Sequence, residues 1–280
     1  MHLIKRSVLA LLLLSAVSAN AQHYYKDIVA VEQTVSTQKL YAAEKVKKVT
    51  LKSLDADRTV TRNFMCYQLV SPDFTQLTTI TRTDFSGNSN MKTFFDPNGR
   101  LLQVKDSTDG NVTTTSYTYS PQGKLQSLTT TIRSLKDAFE QKEEHQWQYT
   151  PKGAPEQMVR ILNGKDTTLV TFITDEAGKV LEEKTIFSPR RSETIYYYYN
   201  QEGRLSDIVR YNTKARRLLP DYMFEYDSAG RVVKTVHIPN NSSNYLTWVY
   251  QYDAAGLKLS ETALDKQKEM MGRITYAYER

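Results

Sequence analysis

The chain has 280 residues, with 37 Lys and Arg against 31 Asp and Glu and a single cysteine. The formal net charge of +6 is interspersed with acids, which argues against a nucleic-acid footprint or a polybasic membrane tail. One thiol, Cys66, excludes an intramolecular disulfide and a multi-thiolate metal site.

The N-terminus places Lys5 and Arg6 before an apolar run, Ser7 to Val17, and the small-residue stretch Ala19-Asn20-Ala21. That order reads as a signal peptide over residues 1–21, cleaved before Gln22, and predicts a periplasmic or secreted protein, with outer-membrane association as a further option. The run is too short to span a bilayer, and no later segment reaches eighteen consecutive apolar residues, so no transmembrane segment is expected in the mature protein. Without Lys5 and Arg6 the net charge is about +4.

Residues 22–92 read as an N-terminal β-rich or capping region. Tyr24 to Lys52 mixes alternation with Lys-rich and Ala-containing stretches, which suit a cap or a short helix. Phe64 to Leu69 and Gln76 to Thr81 read as strands around Ser71-Pro72-Asp73, and Gly87 marks a degenerate repeat. Cys66 is expected to be a buried apolar residue beside Phe64 and Tyr67.

Residues 93–280 form a repeat region, continuous with the preceding one. Seven turns carry a glycine, at Gly99, Gly123, Gly153, Gly178, Gly203, Gly230 and Gly256, at intervals of 24 to 30 residues. The turns open on Asp96, Ser120, Thr150, Asp175, Asn200, Asp227 and Asp253. These side chains are expected to accept a hydrogen bond from the backbone two residues onward, and the glycine to supply the left-handed conformation that returns the chain. Before the turns, Tyr117/Tyr119, Trp147/Tyr149, Tyr197/Tyr199, Phe224/Tyr226 and Tyr250/Tyr252 share one face, whereas Thr118, Gln148, Tyr198, Glu225 and Gln251 point to the other. Asn163-Gly164 predicts a tight second connection; Asp109-Gly110 and Pro239–Asn241 are weaker counterparts. Ser134 to Glu144 reads as a connection able to hold a short helix. Arg273 to Tyr278 supplies a last strand, with Glu279-Arg280 protecting a sheet edge. The fold class is all-β: repeated antiparallel β-hairpins forming a meander, an open curved sheet or a barrel-like repeat array.

The segments Tyr197-Tyr198-Tyr199-Asn200-Gln201-Glu202-Gly203-Arg204, Phe224 to Arg231 and Tyr250 to Gly256 resemble YD repeats of the RHS type. The resemblance runs from Thr93 to Tyr278 and is strongest after Glu193. It implies extended antiparallel sheets, a bacterial exported or envelope setting and a scaffold role, with no catalytic residue to transfer. A small repeat-derived protein is expected, not a toxin-delivery machine.

Function is read from what remains. The aromatic face makes Tyr199, Tyr226 and Tyr252 candidates for contact with a glycan or a cell-envelope protein, although the same rings suit a sheet core. A non-enzymatic binding or envelope-associated scaffold is expected, the alternative being a carbohydrate-active hydrolase. No catalytic residue is assigned: His145 and His237 lack a nucleophile elbow or a metal-binding helix around them. No metal or cofactor is expected, since Asp106, Asp109 and Asn111 lack a complete calcium loop. Arg190-Arg191 and Arg216-Arg217 read as solvated loops.

Overall fold

The computed structural model describes residues 23–239 and 242–280. The expected signal peptide, and Asn240 and Asn241 of one expected connection, lie outside the described residues.

Among the described residues one helix, α1 (Lys26–Ala43), precedes eighteen strands. These are β1 (Lys48–Asp55), β2 (Met65–Val70), β3 (Gln76–Thr83), β4 (Gly87–Phe95), β5 (Leu101–Thr108), β6 (Asn111–Tyr119), β7 (Leu125–Ser134), β8 (Glu140–Tyr149) and β9 (Pro155–Leu162). They continue as β10 (Asp166–Thr174), β11 (Val180–Ser188), β12 (Arg191–Tyr199), β13 (Leu205–Asn212), β14 (Arg217–Tyr226), β15 (Val232–His237), β16 (Leu246–Tyr252), β17 (Lys258–Leu264) and β18 (Met270–Glu279). From β2 onward each strand pairs antiparallel with the next, and β1 pairs with both β18 and β2, so the sheet closes into a barrel. Alternation gives most strands one face more apolar than the other, and the closed sheet turns that face to the lumen.

The ring has two unlike rims. One carries the seven glycine turns, each with the Gly N–H donating to the carbonyl of the turn's first residue, as Gly99 does to Asp96 at 2.8 Å. All seven glycines have positive φ, from +74° to +93°, and a bulge follows in the return strand, as between β14 and β15. The opening side chain reaches four residues onward in all seven turns, not only two: Asp96 accepts from Arg100 N, Ser120 from Lys124 N, and Thr150 from Ala154 N. Asp175, Asn200, Asp227 and Asp253 do the same for Lys179, Arg204, Arg231 and Leu257.

Several expectations are corrected. Ser134 to Glu144 holds no helix: β7 ends at Ser134, residues 135–139 turn, and Glu140 begins β8, where pairing with β7 outweighs local helical preference. Gly87 lies on the opposite rim, closing a hairpin across Thr83, and is not a copy of the repeat turn. Arg273 to Tyr278 is not a sheet edge, because β18 is paired on both sides and Glu279 meets Lys48. The capping segment is an 18-residue helix.

Side chains facing the lumen from β4 to β13, among them Phe95, Leu101, Leu125, Trp147, Met158, Val170, Ile195 and Ile208, join Tyr24 and Val31 in one apolar cluster. A second cluster gathers Tyr41, Val46, Val49, Leu51, Cys66, Leu257 and Ile274. Cys66 is buried there, as expected. The helix presents Ile28, Val31, Val35 and Tyr41 inward at helical spacing and leaves Glu32, Gln33, Ser36 and Lys39 exposed. Gln38 donates to the carbonyl of Phe74, in the β2–β3 turn on the glycine rim, so α1 lies across that mouth.

Candidate functional site: the plugged lumen and an outer cleft

Tyr199, Tyr226 and Tyr252 sit at the ends of β12, β14 and β16 and face inward. Each hydroxyl donates to a backbone carbonyl at the start of an earlier return strand: Tyr199 to Val180 at 2.7 Å, Tyr226 to Leu205 at 2.6 Å, Tyr252 to Val232 at 2.8 Å. Tyr119, Tyr149 and Tyr278 repeat the bond to Leu101, Leu125 and Lys258. The cation after a glycine completes the latch. Arg204 lies over the Tyr226 ring at 5.7 Å and Arg231 over Tyr252 at 5.0 Å, and both donate to the carbonyl of the next turn's Asp. The glycines also make room for this neighbour: a Cβ on Gly230 would meet the Arg204 guanidinium at 3.1 Å. The three candidate tyrosines are thus brought into one repeating seam between hairpins, with their hydroxyls already occupied.

The lumen holds charged groups that sequence reading passed over. Glu183, fully buried on β11, accepts from the backbone N–H groups of Tyr24 (2.7 Å) and Tyr25 (3.0 Å) and from the Tyr197 hydroxyl (2.7 Å). It is a carboxylate supplied by the barrel wall to the N-terminus of α1, where unpaired N–H groups and the helix dipole favour negative charge. Burial nevertheless pushes its pKa up to about 7, against those three donors. His145, buried on β8, bonds Asp27 of α1 through Nδ1 at 2.6 Å and Glu143 through Nε2 at 2.9 Å. Burial alone would lower its pKa; the two carboxylates outweigh that and raise it to about 9. Glu143 also pairs with Arg160, and these partners overcome its own burial to hold its pKa near 2. A histidine kept as a cation between two acids is a clamp, not a general base, and among the described residues no Ser, Thr or Cys side chain hydrogen-bonds to it. His237 faces inward on β15 and stacks on Tyr222 at 4.5 Å. Asp106 accepts from Ser89, and Asp109 from Asn88, so both serve as local structure. Among the described residues no group of three or more His, Cys, Asp or Glu is arranged to hold a metal ion.

The outward positions are mostly polar. On β8 they are Lys142, Glu144, Gln146 and Gln148; on β4 they include Asn88, Asn90 and Lys92. Aromatic side chains return on one flank. There a cleft of about 560 Å³ opens between β11 and β14, lined by Phe187, Tyr196, Tyr211 and Leu218 together with Arg191, Ser192, Glu193, Thr194, Arg210 and Thr213. Behind the cleft, on the inward face that Arg210 shares with its ladder partner Ile195, buried Arg210 donates to Asp221 at 2.6 Å and to Glu193 at 2.9 Å. Sequence reading missed this site because its aromatics come from three strands and fall on the face taken to be polar; Phe187 and Tyr211 sit at strand ends outside the repeated pairs.

The RHS Repeat family model matches residues 95–131, among the early units and not after Glu193, where the turn pattern is most regular. No curated protein sequence matches the chain. Among solved structures, a porin-like protein from Bacteroides uniformis aligns over 84% of this chain and 98% of its own, at 9% identity and TM-score 0.40. A Photorhabdus luminescens Tc holotoxin pore aligns over 83% of this chain and 17% of its own, at 12% identity and TM-score 0.31. The TcdB2-TccC3-TEV structure aligns over 76% of this chain, at 15% identity and TM-score 0.34, and this chain spans only 12% of that one. These are distant likenesses of strand arrangement, all below a TM-score of 0.5. The hairpins with their Tyr-to-carbonyl latches and the family match agree: the chain carries an RHS repeat of the YD type.

Proposed function

We propose that this protein is a non-enzymatic, exported scaffold that binds envelope or extracellular glycan on the outside of a plugged barrel. The observation that carries the reading is the division of labour between the two faces. Inside, the repeated tyrosines are latched, and Asp27, Glu143, His145 and Glu183 around α1 are held by hydrogen bonds. Outside, the cleft offers rings for the apolar faces of sugars beside the hydroxyls of Ser192 and Thr194 and the exposed Arg191 guanidinium for their hydroxyls. The apolar run ending in Ala19-Asn20-Ala21 supports export, and the RHS repeat fits an envelope setting. The hydrolase alternative finds less support, because the histidine flanked by acids is a buried cation. The test is to incubate residues 22–280 with envelope-type polysaccharides and follow both retention and chain length. Retention of polymer at constant length is expected; release of new reducing ends would favour the hydrolase, and failure to retain any polysaccharide would overturn the reading.

A further inference from the structure

Two arginine pairs, distant in sequence, lie in the two turns that flank the outer cleft, and Arg191 lines it. Arg190 and Arg191 lie at the turn between β11 and β12, and Lys214, Arg216 and Arg217 at the turn between β13 and β14. Residues of both turns, Phe187 and Arg191 from one and Thr213 and Leu218 from the other, line the same cleft. All five cations are exposed, and among the described residues none forms an ion pair. Neither turn contains an acid: Ser188-Pro189-Arg190-Arg191-Ser192 and Asn212 to Leu218 are free of Asp and Glu. Lys184, outward on β11 beside Thr194, adds a sixth positive charge along the wall. Glu193 pairs with Arg210 on the inward face, and Glu182, outward opposite Tyr196, is the acid that Lys184 faces along β11.

Arg191 shows how the site combines its two chemistries. Its guanidinium lies over the Phe187 ring at 4.8 Å, which orients the planar donor fork while leaving it exposed. A guanidinium fork matches a carboxylate or sulfate group in two parallel hydrogen bonds, and an adjacent ring accommodates the carbohydrate face bearing it. Most of the outer wall elsewhere has mixed charges, such as Lys142 beside Glu144 and Lys234 beside Glu225. The concentration of unpaired cations is therefore a property of this flank and not of the whole molecule, whose net charge is modest.

We infer that the cleft between β11 and β14 binds an acidic glycan, with Phe187, Tyr196 and Tyr211 receiving sugar rings and Arg190, Arg191, Lys214, Arg216 and Arg217 receiving its carboxylate or sulfate groups. This rests on the glycan-binding reading above and specifies its ligand. The concave, aromatic-lined shape favours a polymer segment over a flat lipid surface.

The experiment measures binding of residues 22–280 to polygalacturonate and to its methyl-esterified, uncharged counterpart, with single-stranded DNA and anionic phosphatidylglycerol vesicles as further arms. Affinity for polygalacturonate is expected to exceed that for the ester at least tenfold at 50 mM salt and to fall at least tenfold by 300 mM, as exposed charges are screened. Arg190→Ala/Arg191→Ala and Arg216→Ala/Arg217→Ala should each weaken binding at least threefold without changing the melting temperature, since none of these side chains supports the fold through an ion pair. Equal binding of acid and ester, or unchanged binding by both arginine variants, would overturn the acidic-glycan assignment while leaving glycan binding standing. Tighter retention of DNA or vesicles than of polygalacturonate would reassign the cations to that partner. Binding to neither polysaccharide would remove the glycan reading itself.

Discussion

The tyrosine that closes each aromatic strand buries its ring and donates its hydroxyl to a carbonyl of the preceding hairpin. Removing only the hydroxyl isolates the second contribution. Tyr226→Phe keeps the ring under Arg204 but leaves the Leu205 carbonyl without this donor, and should lower stability by about 1 kcal/mol, read as a shift in denaturant midpoint at constant slope. No loss in the variant would mean that water or a shifted donor replaces the bond. A turn on the other rim offers a gain. Asp265-Lys266-Gln267-Lys268-Glu269 closes like the glycine turns, with Asp265 accepting from Glu269 N at 2.9 Å, yet its left-handed position, φ +64°, is held by Lys268. Lys268→Gly relieves a conformation that disfavours a side chain by about 1–2 kcal/mol, offset by the greater freedom of glycine in the unfolded chain. A net rise of roughly 0.5 kcal/mol is expected, measurable by equilibrium denaturation. Asp265 to Glu269 was passed over in the sequence because a left-handed lysine has no local signature. Gly230 and Tyr226 were legible because their geometry leaves few other residue choices.

At the scale of the element, α1 is held to the wall by two buried carboxylate systems whose protonation sets a pH window. The folded pKa of His145, about 9, lies above its ordinary value of 6.5, so its contribution is complete below pH 6.5 and is lost as pH rises through 9. Glu183, raised from 4.5 to about 7 by burial, acts in the same direction at lower pH, because its ionisation burdens the folded state from 4.5 upward. Glu143, lowered to about 2, contributes above pH 4.5 and loses that contribution as pH falls through 2. The three together place the stability maximum near pH 5. The histidine term alone is on the order of 3 kcal/mol between pH 6 and 10, which lowers the melting temperature by roughly 10 °C for a domain of this size. His145→Gln should melt lower than the parent at pH 5 and show a flatter melting curve against pH between 6.5 and 9; an unchanged slope would exclude the Asp27–His145–Glu143 clamp as its source. Little of this clamp was legible beforehand. Tyr24 to Lys52 offered a helix as an alternative, but Asp27 and His145 are 118 residues apart and Tyr24 and Glu183 159 apart, so their meeting depends on α1 lying inside a ring whose closure had first to be known.

For the whole molecule, the strand face is legible from alternation, whereas closure depends on a non-local event: β1 must leave α1 on the glycine rim and insert between β18 and β2. Local pattern specifies which side chains share a face and is silent on whether the first and last strands meet. Once closed, the barrel raises a question that strand count cannot answer, since eighteen strands also suit a membrane pore. The outward residues bear on it. Lipid-spanning barrels need a continuous apolar belt of about 25 Å, and a Lys or Arg at the bilayer midplane costs about 2–4 kcal/mol. Here Lys92, Lys105, Lys184 and Lys234 lie outward within four strands, with Gln146 and Gln148 on a fifth, so bilayer insertion would bury several charges, and the exposed apolar side chains Leu169, Ile173, Leu181, Tyr198 and Met223 gather on the β10–β14 flank and do not extend across β8. The mouth is also crossed by α1, fixed through Gln38, Tyr41 and Glu183. Residues 22–280, refolded without detergent and mixed with zwitterionic phosphatidylcholine vesicles, should stay in the aqueous fraction on flotation and produce no conductance across a planar bilayer. Recovery with the vesicles after an alkaline carbonate wash, or stepwise conductance, would show that the outer wall tolerates lipid and that the plug opens.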